Sequence, residues 1–394
     1  MNVSHKGILS LVIVVLLLEA GARVVATVTD DISREDNKWF VMSADRGWEL
    51  RPGFHGRPQC GVGGDFDGQG FLEVDSAQIA ETGKTRILFL GDSNTFGYCI
   101  GNNVTFAEQT DELIPDASAI NLGVSGYTSY QGYKTLLKYG ELIRPDIIVV
   151  SFNYNDRRYV LERSETDSDQ RFAEITSATR QQELVATLKI SYIVRALDRL
   201  IRLAGIYRPG KDTPSRIRLD ELHPRVSPES YRDNLEMMVQ WARDHDSRIV
   251  LMLLGDNPVQ TDYLRRGIRS LDLGRYNDAI EQLKVAMRDR QFGPLARIFL
   301  AQAYTGADMP DLAEDIISVQ PYRSLHGGHP IFLDTVYNDI MKDVGNRHQL
   351  EVVDAREMLN KTPGYYIDHC HFDESGHRAV AELLRQRIVH MVGK

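Results

Sequence analysis

Five short apolar runs, separated by helix-patterned stretches, limit what this chain can fold into. They are Thr85-Arg-Ile-Leu-Phe-Leu, Ala119-Ile-Asn-Leu, Asp146-Ile-Ile-Val-Val-Ser, Arg248-Ile-Val-Leu-Met-Leu-Leu and Leu350-Glu-Val-Val-Asp. A strand with one wet face alternates polar and apolar residues, whereas these runs are largely continuous. That is the pattern of strands covered on both faces, as in a parallel sheet. Between them, Ser129–Leu142 and Pro228–Asp244 carry helical periodicity. Strands alternating with helices predict an α/β fold around a parallel sheet. Ligands of such sheets bind outside the carboxyl ends of the strands.

With 394 residues, 42% hydrophobic and 26% charged, the chain can bury a sizeable core, as two domains or one with large insertions. A formal net charge of −9 argues against a broad basic face for nucleic acid and against docking on anionic lipid. Three cysteines are too few for a disulfide framework. In an oxidising compartment Cys99 or Cys370 could pair with Cys60, and the sequence does not choose between them.

The first residues stand apart. Lys6 precedes the apolar stretch Ile8–Leu18, followed by Glu19-Ala-Gly-Ala-Arg23. The stretch has the length of a signal-peptide core and is short for a membrane span, and Ala20 and Ala22 offer a cleavage site. Extending it to Val28 reaches membrane-spanning length only by tolerating Glu19 and Arg23. Residues 1–28 are therefore expected to be a signal peptide or a retained membrane anchor. Either places the protein outside the cytoplasm. Residues 29–84 form an N-terminal extension, in which the Gly/Pro-rich stretch from Arg51 to Gly64 reads as loop.

Four motifs then follow in order: Gly91-Asp92-Ser93-Asn94-Thr95-Phe96-Gly97, Asn121-Leu-Gly123-Val-Ser125-Gly126, Asn153-Tyr154-Asn155-Asp156 and Asp368-His369-Cys370-His371. Ser93, Gly126 and Asn155 all lie just past predicted strand ends. A serine in a sharp turn before a helical segment exposes its hydroxyl and aims backbone N–H groups at a substrate carbonyl. Serine needs an adjacent base held by a third group, and His371 with Asp368 can supply both from one loop. Glycine at 126 lets the backbone approach a substrate closely, and the Asn155 amide is a donor at any pH.

That order and those flanks resemble the SGNH (GDSL-type) hydrolase superfamily, over roughly 85–156, 227–258 and 320–390. The resemblance implies a three-layer α/β/α sandwich with a central parallel sheet of flavodoxin-like type. It implies Ser93, Asp368 and His371 as catalytic residues. The backbone N–H groups of Ser93 and Gly126 and the Asn155 side chain become the oxyanion hole. Two positions depart from the family pattern: Phe372 follows the histidine where proline is frequent, and Asn153 stands where glycine is usual. Gly97-Tyr98 and Gly126-Tyr127-Thr128 are expected to line the pocket, and Asp156 to be a structural cap. His369 reads as a surface histidine of the loop, and His377 as packing at the start of the last helix. Together with Asp368, His371 and Asp373 these histidines suggest a metal cluster. Their i, i+2 spacing on a loop fits known ligand sets poorly, so neither metal nor cofactor is assigned.

Two insertions interrupt the hydrolase domain, 85–394. Residues 157–226 are charged and helix-patterned, a lid over the site or a solvated excursion. In 262–320, Tyr263, Gly267, Gly274, Ala279, Leu283 and Ala286 match the small and large positions of a tetratricopeptide helix pair. Ala279 and Leu283 recur 34 residues later as Ala313 and Ile317, the tetratricopeptide period. The resulting expectation is an exported serine esterase cleaving a small acyl group from a carbohydrate or lipid through an acyl-serine. The alternatives are an O-acyltransferase acting on cell-surface polysaccharide, or a scaffold whose repeats bind a protein partner beside an idle site.

Overall fold

The structure is a computed structural model that describes residues 39–59, 62–65, 83–101, 104–160, 167–168, 171–172, 223–288, 293–318 and 334–393. The expected signal or anchor segment, Cys60 and most of 157–226 lie outside the described residues. No helix among the described residues is long and apolar enough to cross a membrane.

Two hairpins come first, β1 (Phe40–Ser43) with β2 (Gly47–Leu50), and β3 (His55–Gln59) with β4 (Val62–Asp65). The second overturns the loop expectation for Arg51–Gly64. Its strands pair antiparallel with a register irregularity between Gly56 and Gln59, which lets a two-stranded ribbon accept Pro58. Glycine and proline punctuate sequence patterns, but a ribbon with two open edges tolerates both.

The sheet begins with β5 (Thr85–Gly91), followed by α1 (Ser93–Phe96), α2 (Phe106–Leu113), β6 (Ala117–Asn121), α3 (Ser129–Ile143) and β7 (Ile147–Ser151). A short pair, β8 (Tyr159–Val160) with β9 (His223–Pro224), leads to α4 (Pro228–Asp244) and β10 (Arg248–Leu253). Four helices come next: α5 (Pro258–Asp272), α6 (Tyr276–Ala286), α7 (Gly293–Gly306) and α8 (Pro310–Ser318). The chain ends with α9 (Asp334–His348), β11 (Glu351–Asp354), α10 (Arg356–Asn360) and α11 (Glu374–Ile388).

The five sheet strands run parallel in the order β11-β10-β7-β5-β6. Side chains alternate between two apolar layers. Leu88, Leu90, Ile148, Val150 and Leu251 face α3, α4 and α9. Ile87, Phe89, Ile147, Val149 and Val250 face α2, α10 and α11. Both faces are covered, which is why the runs lack polar alternation. The result is a three-layer α/β/α sandwich. After β5 the chain builds β6 on one side and then crosses to β7 on the other. The crevice between the ends of β5 and β7 is therefore the topological switch point.

Helices α5 to α8 form two successive pairs around their own buried cluster, centred on Leu264, Leu283, Leu295 and Leu300. The turns between pair members share one backbone device at a 34-residue offset, Gly274 (φ 68°) and Asp308 (φ 61°). The first of these helices starts at Pro258, because Asn257 caps it by accepting from the Val259 N–H and proline suits the first helical position.

Candidate active site

The turn after β5 is built to present Ser93. Asp92 caps α1 by accepting from the Asn94 N–H at 3.0 Å. At the helix end Gly97 takes φ 85°. Behind the turn, Thr95 Oγ1 lies 2.7 Å from Ser151 Oγ at the end of β7, and Asn121 donates from Nδ2 to the Thr95 carbonyl. Three strand ends thereby hold one turn. Burial pushes Asp92 up to about 6, although the Asn94 N–H and His371 pull it back. Its second carboxyl oxygen faces Asn155, whose Nδ2 lies 3.3 Å away.

Asp368 and His371 reach Ser93 from the loop before α11. His371 Nε2 is 2.8 Å from Ser93 Oγ, and its Nδ1 is 2.7 Å from Asp368 Oδ2. With Nδ1–H donating to the carboxylate, Nε2 is left to accept the serine proton. The other oxygen of Asp368 accepts the N–H groups of Cys370 and His371, at 2.9 and 2.8 Å. Burial alone would raise Asp368, but the His371 contacts and the Cys370 N–H outweigh it and hold the carboxyl well below the usual range. Tyr98 stacks on the His371 ring at 4.1 Å.

Of the predicted oxyanion donors, Ser93 and Asn155 both flank Asp92, Asn155 through its side-chain amide. Gly126 takes φ 84°, a left-handed conformation that suits glycine. No acceptor among the described residues takes the N–H of Ser93 or of Gly126. Asn155 is buried in the loop that follows β7. Asp156 accepts from both the N–H and the hydroxyl of Ser129, capping α3 as expected. Asn153, in the place of the usual glycine, donates to Asn338 of α9 at 2.6 Å. A cleft of about 310 Å³ including its mouth runs along the ends of β5, β7 and β10, lined by Asp92, Asn94, Asn153, Tyr154 and Arg157 among others.

Three expectations need revision. His369 is buried rather than exposed: its ring packs against Tyr154, its Nε2 lies 3.3 Å from Cys370 Sγ, and the Asn257 N–H holds its carbonyl. A loop pinned at its backbone has no freedom to turn that ring outward. Tyr127 does not line the pocket with its hydroxyl, which instead donates to the Trp48 carbonyl. Thr128 is fully buried at the start of α3. His377, in α11, accepts the Phe106 N–H on Nδ1, and burial lowers it to about 3, so it is a neutral packing residue.

Asp368, Cys370 and His371 bring ligand-type atoms within 4.8 Å of one another. Both nitrogens of His371 are already committed, and burial pushes the Cys370 thiol well above its ordinary value. A protonated thiol is a poor ligand and a poor nucleophile. Cys99 is disulfide-bonded and Cys370 is free.

Several supporting residues carry no sequence signal. Arg157 forms a buried two-oxygen ion pair with Asp256, joined by Arg265 of α5. Asn257 donates to the Asp368 carbonyl at 3.0 Å, and Arg225 to the Gly126 carbonyl at 2.8 Å. Their partners are 99 to 111 residues away along the chain, beyond any local pattern.

The model of the GDSL-like lipase/acylhydrolase family matches residues 89–315. No curated protein matches the chain at a significant level. Similar solved structures include a lipase/acylhydrolase from Enterococcus faecalis (14% identity, 78% of this chain and 97% of that one, TM-score 0.38). Another is a GDSL-like lipase from Bacteroides thetaiotaomicron (12%, 80% and 95%, TM-score 0.38). A third is a putative acylhydrolase from Bacteroides fragilis (15%, 80% and 94%, TM-score 0.38).

Proposed function

The chain belongs to the GDSL-like lipase/acylhydrolase family and hydrolyses esters, and from that premise we propose an exported serine esterase working through an acyl-Ser93 intermediate. The observation that carries the mechanism is the continuous relay Ser93–His371–Asp368, with both bonds under 3 Å. His371 takes the hydroxyl proton as Ser93 Oγ attacks the ester carbonyl. Asp368 orients the ring and stabilises the imidazolium. The oxyanion is received by the N–H groups of Ser93 and Gly126 and by the Asn155 amide, three donors set before substrate arrives. His371 then returns the proton to the leaving alkoxide, and water repeats the sequence to release the acid.

The ester proposed is a small acyl group on a carbohydrate or lipid alcohol, the class that the motif resemblance supports. The disulfide at Cys99 and the apolar N-terminal segment support an oxidising, extracytoplasmic setting. The test is fluorophosphonate labelling of wild type beside Ser93→Ala and His371→Ala. Labelling that vanishes in both variants is the expected result, and an unlabelled, folded wild type overturns the proposal. Product analysis with added sugar then separates the fates of the acyl-enzyme. Free acid alone means hydrolysis, whereas an acylated sugar means transfer.

A further inference from the structure

The N-terminal extension lies outside the family match, yet one of its side chains reaches the oxyanion site. Trp48, in β2, donates from Nε1 to the Ser125 carbonyl at 3.2 Å. That carbonyl belongs to the peptide unit whose N–H is Gly126. A trans peptide is planar, with its C=O and N–H pointing in opposite directions. Whatever holds the Ser125 oxygen toward the hairpin therefore turns the Gly126 N–H away from it. We propose that Trp48 is a positioning residue that locks the Ser125–Gly126 peptide with its N–H facing the oxyanion, an inference that rests on the esterase reading above.

Four further contacts make the lock two-sided. The Tyr127 hydroxyl donates back to the Trp48 carbonyl, so hairpin and loop hold each other through both backbone and side chain. The Tyr127 ring meets the indole edge-on, with centroids 5.7 Å apart. Arg225 lies over the indole at 5.8 Å and donates to the Gly126 carbonyl, fixing the next peptide unit as well. A Cβ on residue 126 would stand 3.2 Å from Trp48 Cζ2, so the indole fits against the bare glycine. With φ at 84°, Gly126 is a residue whose flanking peptides are free to flip unless something holds them. Here the indole and the guanidinium each hold one.

The test separates the indole N–H from the indole shape. Trp48→benzothienylalanine keeps the bicyclic ring and replaces the N–H by sulfur, while Trp48→7-azatryptophan keeps the N–H. With p-nitrophenyl acetate as probe, the sulfur variant is expected to lose about 10-fold in kcat. That is less than the 10²–10³ which follows deletion of an oxyanion donor. KM should stay within about twofold, because substrate affinity does not depend on that hydrogen bond, and Tm should fall only by the few degrees expected for one lost hydrogen bond. The azatryptophan variant should retain wild-type kcat. Equal kcat in the sulfur variant and the wild type overturns the proposal.

If Ser93→Ala hydrolyses the probe as fast as wild type, it is the esterase reading that fails. The peptide is then read directly from a crystal structure of the sulfur variant. A turned Ser125 carbonyl supports the lock, and an unmoved one overturns it.

Discussion

At the scale of single residues, this site depends on carboxyl groups kept in opposite states. Asp368 is held ionised by His371 and by backbone N–H groups, so it remains an orienting anion across the physiological range. Asp368→Asn keeps the shape but offers the wrong partner to Nδ1–H. It should reduce kcat by on the order of 10⁴ with little change in KM, measured with p-nitrophenyl acetate. Asp156 is the opposite case. Burial pushes it up to about 7, and the Ser129 hydrogen bonds only partly offset that. A raised folded value means the folded state binds a proton that the unfolded chain, titrating near 4, has released. The stabilisation is complete below about pH 4 and is lost as pH rises through about 7. Asp156→Asn keeps an acceptor for Ser129 and removes the buried charge. Urea unfolding should show the variant gaining stability on wild type between pH 4.5 and pH 7.5, and parallel pH profiles would contradict this.

At the scale of elements, the loop before α11 owes its position to a helix cap. Asn257 terminates α5 through Oδ1, accepts nothing from the relay, and sends its Nδ2 and N–H to the carbonyls of Asp368 and His369. The ion pairs of Asp256 with Arg157 and Arg265 fix the same junction from below. The helical pairs are thus tied to the relay at their first residue. Asn257→Ala should cost about 1 kcal/mol through the cap alone. It should also lower kcat several-fold, because the carboxylate loses one of its backbone anchors. Differential scanning calorimetry and steady-state kinetics on the same preparation check both. A loss of Tm with unchanged kcat would confine Asn257 to the cap.

At the scale of the whole molecule, two kinds of core carry the chain. The sheet is sealed on both faces, with Leu88 and Ile148 fully buried on one and Ile87 and Val149 on the other. The helical pairs α5 to α8 hold a separate cluster and, among the described residues, are tied to the sheet domain at the Asp256–Asn257 junction. Amides of β5, β7 and β10 should therefore exchange last in native-state hydrogen exchange, and those of α5 to α8 earlier and together. Uniform protection across both cores would show that they unfold as one.

How much of this the sequence foretold follows from the distance between partners. Strand runs, the helices at Ser129 and Pro228, and the motif serine, glycine, asparagine and histidine each answer to a demand met within a few residues: continuous apolarity, a cap, a left-handed turn. Such demands leave their mark in the local string. Asp368 and His371 were legible as a pair because they sit on one loop. Trp48 and Arg225 were not, since the backbone oxygens they hold lie 77 and 99 residues away. A carbonyl oxygen places no requirement on the residue that carries it. Buried His369 escaped for the same reason, its exposure being set by the distant Asn257. The chemistry of the site is written in short motifs, but the orientation of its donors depends on which surfaces folding brings together.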